Sequence, residues 1–411
     1  MRKTLPFICI LLCLSFFLSA AMACGGAPGS VSVMGSGFAT VVPTPKATPE
    51  PAPTPEPTQE DWLWAYIDTL TTEEKLGQLC MFGFSGGDTI SDTFVELLQT
   101  RHIGNVILFG TNIDRNAPDG GFALCKQLTE AIHETSLSDI PFLVSIDLEG
   151  GVVLRFTWPE RPASAATLGE KDDPELARET FAFVGRGLVS AGINIDLAPV
   201  LDVAEDPSST FMGRRIISSS AEVTANIGAA CIQGLHEGGC LAVAKHFPGH
   251  GATPEDSHIV MPAVYRSLEE MRDYELIPFA ACVQSADAVM TAHILYPEVD
   301  GDIATVSKVW ITDILRGELG FEGFVISDDF RMEGLSTEYS IETAAVQFIL
   351  AGGDMILCGP RHELQTRIMD ALCEAAADGR ISTERLNESV FRILRAKMRV
   401  TDFDPQAALQ P

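Results

Sequence analysis

Eight short apolar runs, each paired with a longer amphipathic one, constrain this chain more than any other feature. The runs cover residues 78–82, 105–109, 142–147, 193–201, 241–247, 288–293, 324–328 and 354–357. Helical patterns lie at 93–100, 121–134, 173–191, 221–237, 267–284, 307–317, 341–350 and 363–378. Most of these open on a polar capping residue, and several close near a glycine. A strand that is short and apolar throughout is buried on both faces, and such strands alternating with helices form parallel βαβ units. Eight units in about 330 residues predict one (β/α)8 barrel of the TIM type rather than an open sheet. A further helix over 381–400 is expected to cap it.

Ahead of this repeat the pattern changes. Arg2 and Lys3 precede a largely apolar stretch at 5–20, and small residues lead to Ala21-Met22-Ala23-Cys24. That is the anatomy of a secretory signal peptide over residues 1–23. A cysteine directly after a small residue resembles a bacterial lipobox, although Ala21 stands where leucine is favoured. Cys24 is then the expected lipidation site, giving a cell-surface lipoprotein, with free secretion as the alternative. Residues 24–60 are rich first in Gly and Ser, then in Pro and Thr, with seven prolines between 43 and 57. Alternating proline fixes φ and removes donors, so this segment is expected to be an extended spacer. The globular domain is expected over 61–400, with 401–411 as a tail.

Charge and cysteine usage narrow the class further. Lys and Arg number 28 against 56 Asp and Glu, a formal net charge of −28. A surface this acidic is repelled by phosphate backbones and anionic headgroups. No nucleic-acid partner is expected, and membrane contact only through a lipid on Cys24. The 46% hydrophobic content excludes a disordered chain. Beyond Cys24 lie Cys80, Cys125, Cys231, Cys240, Cys282, Cys358 and Cys373, an odd set without a CxxC pair, which predicts buried free thiols. A monomer is expected.

Several expected strands end in ionisable residues: Asp147 and Glu149, Asp202, Lys245 and His246, His293, and Asp328 and Asp329. The C-terminal rim of a parallel barrel is where loops assemble a site. For Asp202 and His293 a capping or buried ion-pair role fits equally well, but so many ionisable groups at one end point to a site. The densest stretch is KHFPGHGATPEDSH at 245–258, where Pro and Gly make a loop leaving strand five. Asp256 can reach His258 two residues on, orient one ring nitrogen and raise the basicity of the other, as a general acid/base pair requires. On spacing alone, a metal site from His246, His250, Asp256 and His258 is a rival.

This stretch resembles the signature of the bacterial β-N-acetylhexosaminidases of glycoside hydrolase family 3. The resemblance runs from Asp61 to about Val400. It includes DLEGG at 147–151, APVLDV at 198–203, TAHILYPEVD at 291–300, LRGELGFEGFVISDD at 315–329 and AGGDMIL at 351–357. It implies a retaining glycosidase that releases terminal β-linked N-acetylglucosamine from cell-wall fragments or other glycans. Asp328 matches the nucleophile, His258 the acid/base and Asp256 its partner. Asp147, Arg155, Arg215, Lys245 and His246 match sugar-binding positions, and no cofactor or metal is implied. A histidine acid is neutral once deprotonated, so it adds no second negative charge beside Asp328.

Two departures concern pocket shape. Val152 stands where the family has Arg, and Ile216-Ile217 follow Arg215 where an aromatic is usual. Many family members carry their acid on a second α/β domain. No such domain fits after Val400, which agrees with an acid on the strand-five loop. Three alternatives remain: a phosphorylase of the same family, a non-catalytic glycan-binding lipoprotein and a metal-dependent amidohydrolase. The intact Asp256, His258 and Asp328 speak against the second. Residues 80–84 lack the paired His ligands that the third requires.

Overall fold

The computed structural model describes residues 56–87, 89–155 and 161–410. The expected signal peptide, Cys24 and nearly all of the expected spacer lie outside the described residues. Eight parallel strands form the barrel: β1 (Cys80–Gly83), β2 (Asn105–Leu108), β3 (Leu143–Ile146), β4 (Ile195–Asp196), β5 (Leu241–Phe247), β6 (Ala288–Thr291), β7 (Phe324–Ser327) and β8 (Ile356–Cys358). Each pairs with its sequence neighbour, and β8 returns to β1 with Cys80 opposite Ile356. Between β7 and β8 the ladder is reduced to a bridge at Ile326 and Met355, where the Ser327 N–H donates to the Met355 carbonyl at 2.9 Å. That bridge closes the cylinder. All strand residues are buried, as a barrel with packed interior and surrounding helices demands.

The expected elements are present, with differences that have local causes. Strand five begins and ends where expected. The fourth is far shorter than 193–201, because Pro199 has no N–H to give to a ladder and β4 stops ahead of it. The chain nonetheless runs on beside β5, with the Leu201 N–H bonded to the Lys245 carbonyl. The helix expected over 267–284 is two helices, Leu268–Arg272 and Leu276–Cys282. Pro278 lies in the first turn of the second, where a missing donor is tolerated. Val309–Glu318 is wound as a π-helix, and the Leu319 N–H reaches back five residues to the Ile314 carbonyl.

Both ends of the domain differ from expectation. A helix, α1 (Gln59–Thr69), begins ahead of residue 61 on a capping box in which Thr58 and Asp61 exchange hydrogen bonds of 3.2 and 2.7 Å. The residues expected as a tail turn back onto it. Phe403 is buried edge-on against Tyr66 of α1 at 5.2 Å, and Asp404 caps a last helix, Pro405–Ala408. Among the described residues the seven cysteines are free, six of them buried. No described helix is long and apolar enough to cross a membrane.

The loop after β5 is anchored from below. Phe247 and Tyr296 pack edge-on against buried Trp310 at 6.1 and 5.1 Å, and the Tyr296 hydroxyl donates to the Gly249 carbonyl at 2.7 Å. Two residues on, a Cβ at Gly251 would lie 1.8 Å from the Val203 carbonyl oxygen, so only glycine lets the loop pass the β4 connection.

The capping box yields a stability prediction. A chain starting at Asp61 loses Thr58 and should be about 1 kcal/mol less stable than one starting at Glu56, measured by urea unfolding. Equal stabilities would show that the box contributes nothing to α1.

Candidate active site

The rim residues converge on a cavity of about 860 Å³ at the C-terminal end of the barrel. Asp147 follows β3, and the chain then makes a two-stranded ribbon, Leu148–Gly150 with Val153–Leu154, in which Leu148 opposes Leu154. The turn needs φ of +84° at Gly150, where a Cβ would also strike the Ala163 carbonyl at 2.3 Å. The ribbon explains the spacing of the motif, since it returns Arg155 to Asp147, with Nη2 3.2 Å from Oδ2.

Lys245 ends the apolar run of β5. A bulge in the β5–β6 register between Lys245 and Phe247 accommodates His246 as an extra residue, and a bulge re-aims side chains in this way. Both Lys245 and His246 therefore line the cavity. The Lys245 Nζ lies 2.9 Å from Asp147 Oδ1 and 2.7 Å from Glu149 Oε1. Glu149 also accepts two bonds of 2.8 Å from Nε and Nη2 of Arg215, on the short 3₁₀ turn Gly213–Arg215. Burial alone would raise both carboxyls. The Lys245 ammonium outweighs it, helped by Arg155 at Asp147 and by Arg215 at Glu149. Asp147 is held far below the usual carboxylate range and Glu149 is brought down to about 2.

Asp202 lies behind this floor, fully buried. Its Oδ2 is 2.7 Å from His246 Nδ1, and its Oδ1 accepts the backbone N–H groups of His246 and His250. One carboxylate thus fixes the His246 ring and the start of the loop together. His293 is buried behind the cavity, its ring nitrogens within reach of the Thr305 hydroxyl and the Asp329 carbonyl. Neither Asp202 nor His293 lines the cavity.

Asp328 follows β7 and is half-buried in the cavity wall. Burial would raise its carboxyl, but the nearby imidazoles of His246 and His293 and the Asp329 N–H at 2.7 Å hold it below the ordinary value. Of the four carboxylates lining the cavity among the described residues, Asp147, Glu149 and Asp329 are each tied to a lysine or arginine. Asp328 has no such ion pair. His258 stands on the loop with a 59% exposed side chain, its Nδ1 2.8 Å from Asp256 Oδ1. Asp256 lies behind the imidazole rather than in the wall.

All the expected sugar-binding residues, together with Asp328 and His258, thus share one cavity. Glu149, expected at the rim but without a role, is the counter-ion of both Lys245 and Arg215. The sequence expectation missed Phe211, Arg214 and Arg331, which line the same space. The rival metal set does not converge. His246 turns to Asp202, His250 Nε2 to the Ser257 hydroxyl at 2.8 Å and His258 to Asp256. Among the described residues no three His, Cys, Asp or Glu side chains are arranged to hold a metal ion.

A parallel barrel with an ionised carboxylate and a carboxylate-oriented imidazole over a hydrogen-bonding floor is the architecture of a glycosidase. The chain belongs to glycosyl hydrolase family 3, whose N-terminal domain model matches residues 71–396, and it is a glycoside hydrolase. A β-hexosaminidase of Idiomarina loihiensis is 34% identical over 302 residues, 72% of this chain and 88% of the relative. One from Pseudomonas aeruginosa is 34% identical over 279 residues, 67% of this chain and 81% of the relative. A solved family 3 β-N-acetylglucosaminidase from a Paenibacillus species superposes with a TM-score of 0.76 at 38% identity. The match covers 80% of this chain and spans 63% of that one. The β-N-acetylhexosaminidase of Beutenbergia cavernae gives 0.73 at 29% identity, over 80% of this chain and 99% of that one.

The depressed carboxyl of Glu149 makes a prediction with a definite sign. A folded-state value near 2 against 4.5 for the free side chain means that its stabilisation is complete above pH 4.5 and fades as pH falls towards 2. Glu149→Gln should cost about 3–5 kcal/mol at pH 7, because buried Lys245 and half-buried Arg215 lose a shared counter-ion. The gap to the unmodified protein should narrow below pH 4.5. A pH-independent gap in denaturant unfolding would refute the coupling.

Proposed function

We propose that the protein is a β-N-acetylhexosaminidase that releases terminal β-linked N-acetylglucosamine with retention, from cell-wall fragments or other glycans. The observation that carries this reading is the contrast among the cavity carboxylates of the described residues: Asp147, Glu149 and Asp329 are paired with a lysine or arginine, whereas Asp328 is ionised without such a partner. The names of the relatives support the choice of sugar. Asp328 attacks the anomeric carbon and forms a glycosyl–enzyme ester, while Nε2 of His258 gives its proton to the departing oxygen. The neutral imidazole then takes a proton from the water that attacks the ester, which regenerates Asp328. Asp256 holds Nδ1 and thereby keeps Nε2 as the nitrogen that exchanges the proton. Arg155, Arg215, Lys245, His246 and Asp147 bind the sugar's hydroxyl and acetamide groups, already fixed before substrate arrives.

The two roles separate experimentally. Asp328→Ala should abolish turnover of every β-N-acetylglucosaminide. His258→Ala should cost about 10²–10⁴-fold on a disaccharide but far less on an aryl glycoside whose phenol is strongly acidic, since a good leaving group needs no proton. Equal losses on both would return His258 to a binding role. Free N-acetylglucosamine as the product, with or without added phosphate, is the outcome expected of a hydrolase. A sugar 1-phosphate would instead indicate phosphorolysis.

The exported location belongs to the same reading. With Cys24 diacylated, the native protein should fractionate with membranes, and Cys24→Ala should release it in soluble form. A membrane-bound Cys24→Ala protein would contradict lipid anchoring at that residue.

A further inference from the structure

We propose that Phe211 is the platform of an aglycone subsite, binding the apolar face of a second pyranose ring; this rests on His258 being the acid/base. The cavity has two chemically different ends. One is the floor of buried charges around Lys245. The other, beside exposed His258, carries Phe211, which is 39% exposed although most large apolar side chains among the described residues are buried. The Phe211 ring centroid lies 5.8 Å from that of His258 and 6.1 Å from that of His250. A leaving oxygen must come within about 3 Å of the imidazole that protonates it. The first ring of the leaving group is therefore brought within reach of Phe211. The C–H face of a pyranose is apolar, and an aromatic face offers it a flat contact with negative polarisation.

The backbone fixes this placement. Phe211 lies between two short 3₁₀ turns, Pro207–Ser209 and Gly213–Arg215. The first is capped by Asp206, whose Oδ1 accepts the Ser208 N–H at 3.0 Å. Arg215, four residues beyond Phe211, is locked onto buried Glu149. One short segment thus presents a cation to the glycone end and an aromatic ring to the aglycone side, so the spacing of the two subsites is set by a single anchored turn. No hydrogen-bonding partner is required of Phe211, which suits a neutral sugar ring rather than a phosphate or a peptide.

The test compares two substrates of the same glycone. One is the methyl β-glycoside of N-acetylglucosamine, whose aglycone has no ring; the other is a β-linked N-acetylglucosamine disaccharide. Both leaving groups are alcohols that need the proton of His258. For Phe211→Ala the ratio of kcat/KM, disaccharide over methyl glycoside, should fall about tenfold, and Phe211→Trp should restore it. An unchanged ratio would overturn the proposal, whether through equal losses, as when Phe211 merely supports His258, or through none. Turnover of the methyl glycoside shows that each variant is folded. If the unmodified protein cleaves neither substrate, it is the proposed function that fails, a result distinct from an unchanged ratio.

Discussion

The site is organised around one buried ammonium. Lys245 is 1% exposed and holds two carboxylates at once, Asp147 at 2.9 Å and Glu149 at 2.7 Å. Removing such charges from water costs several kcal/mol each, recovered only when every member of the cluster is paired. Burial would lower Lys245, but Asp147 and Glu149 keep it protonated, above its ordinary value. Arg155 and Arg215 complete the cluster from the other side. Three cations against two carboxylates leave one positive charge in the same cavity as ionised Asp328. A floor fixed in this way presents its donors to a sugar without rearranging, and stabilisation at a reacting centre depends on that.

The barrel supplies what the cluster needs. β3 delivers Asp147, the ribbon after it returns Arg155, β5 delivers Lys245 and His246, and β7 leads to Asp328. The same architecture separates rigid from adaptable parts. The floor rests on strand ends and on buried Asp202, whereas His258 stands exposed on a loop pinned at its base by Tyr296, Asp202 and the close passage of Gly251. Proton transfer to leaving groups of different shape is better served by a loop, and sugar recognition by strand ends.

Much of this was legible in the chain, for identifiable reasons. β5 was bounded correctly because 241–247 is apolar up to Lys245 and is followed by Pro248 and Gly249. The fourth strand was drawn too long because hydrophobicity continues through 197–201 while the ladder ends short of Pro199. The break in 267–284 was signalled by Pro278, a first-turn residue that does not belong inside a long helix. Asp404 and Pro405 likewise announce the last helix, yet composition alone reads as a tail. In the site, residues carried by dense motifs have legible roles, whereas Glu149 is visible in DLEGG but its role is not, because its partner Arg215 lies 66 positions away. Phe211 had no signal at all, since only the folded turn reveals that it flanks His258.

The central claim is that Asp328 becomes covalently attached to the sugar. Incubation with a 5-fluoro-N-acetylglucosaminyl fluoride, which slows breakdown of the ester, followed by peptide mass spectrometry reads this directly. The account predicts a single 5-fluoro-N-acetylhexosaminyl adduct on Asp328, formed as activity disappears. An adduct on Asp147, Glu149 or another residue, or hydrolysis of the reagent with no adduct at all, would contradict it.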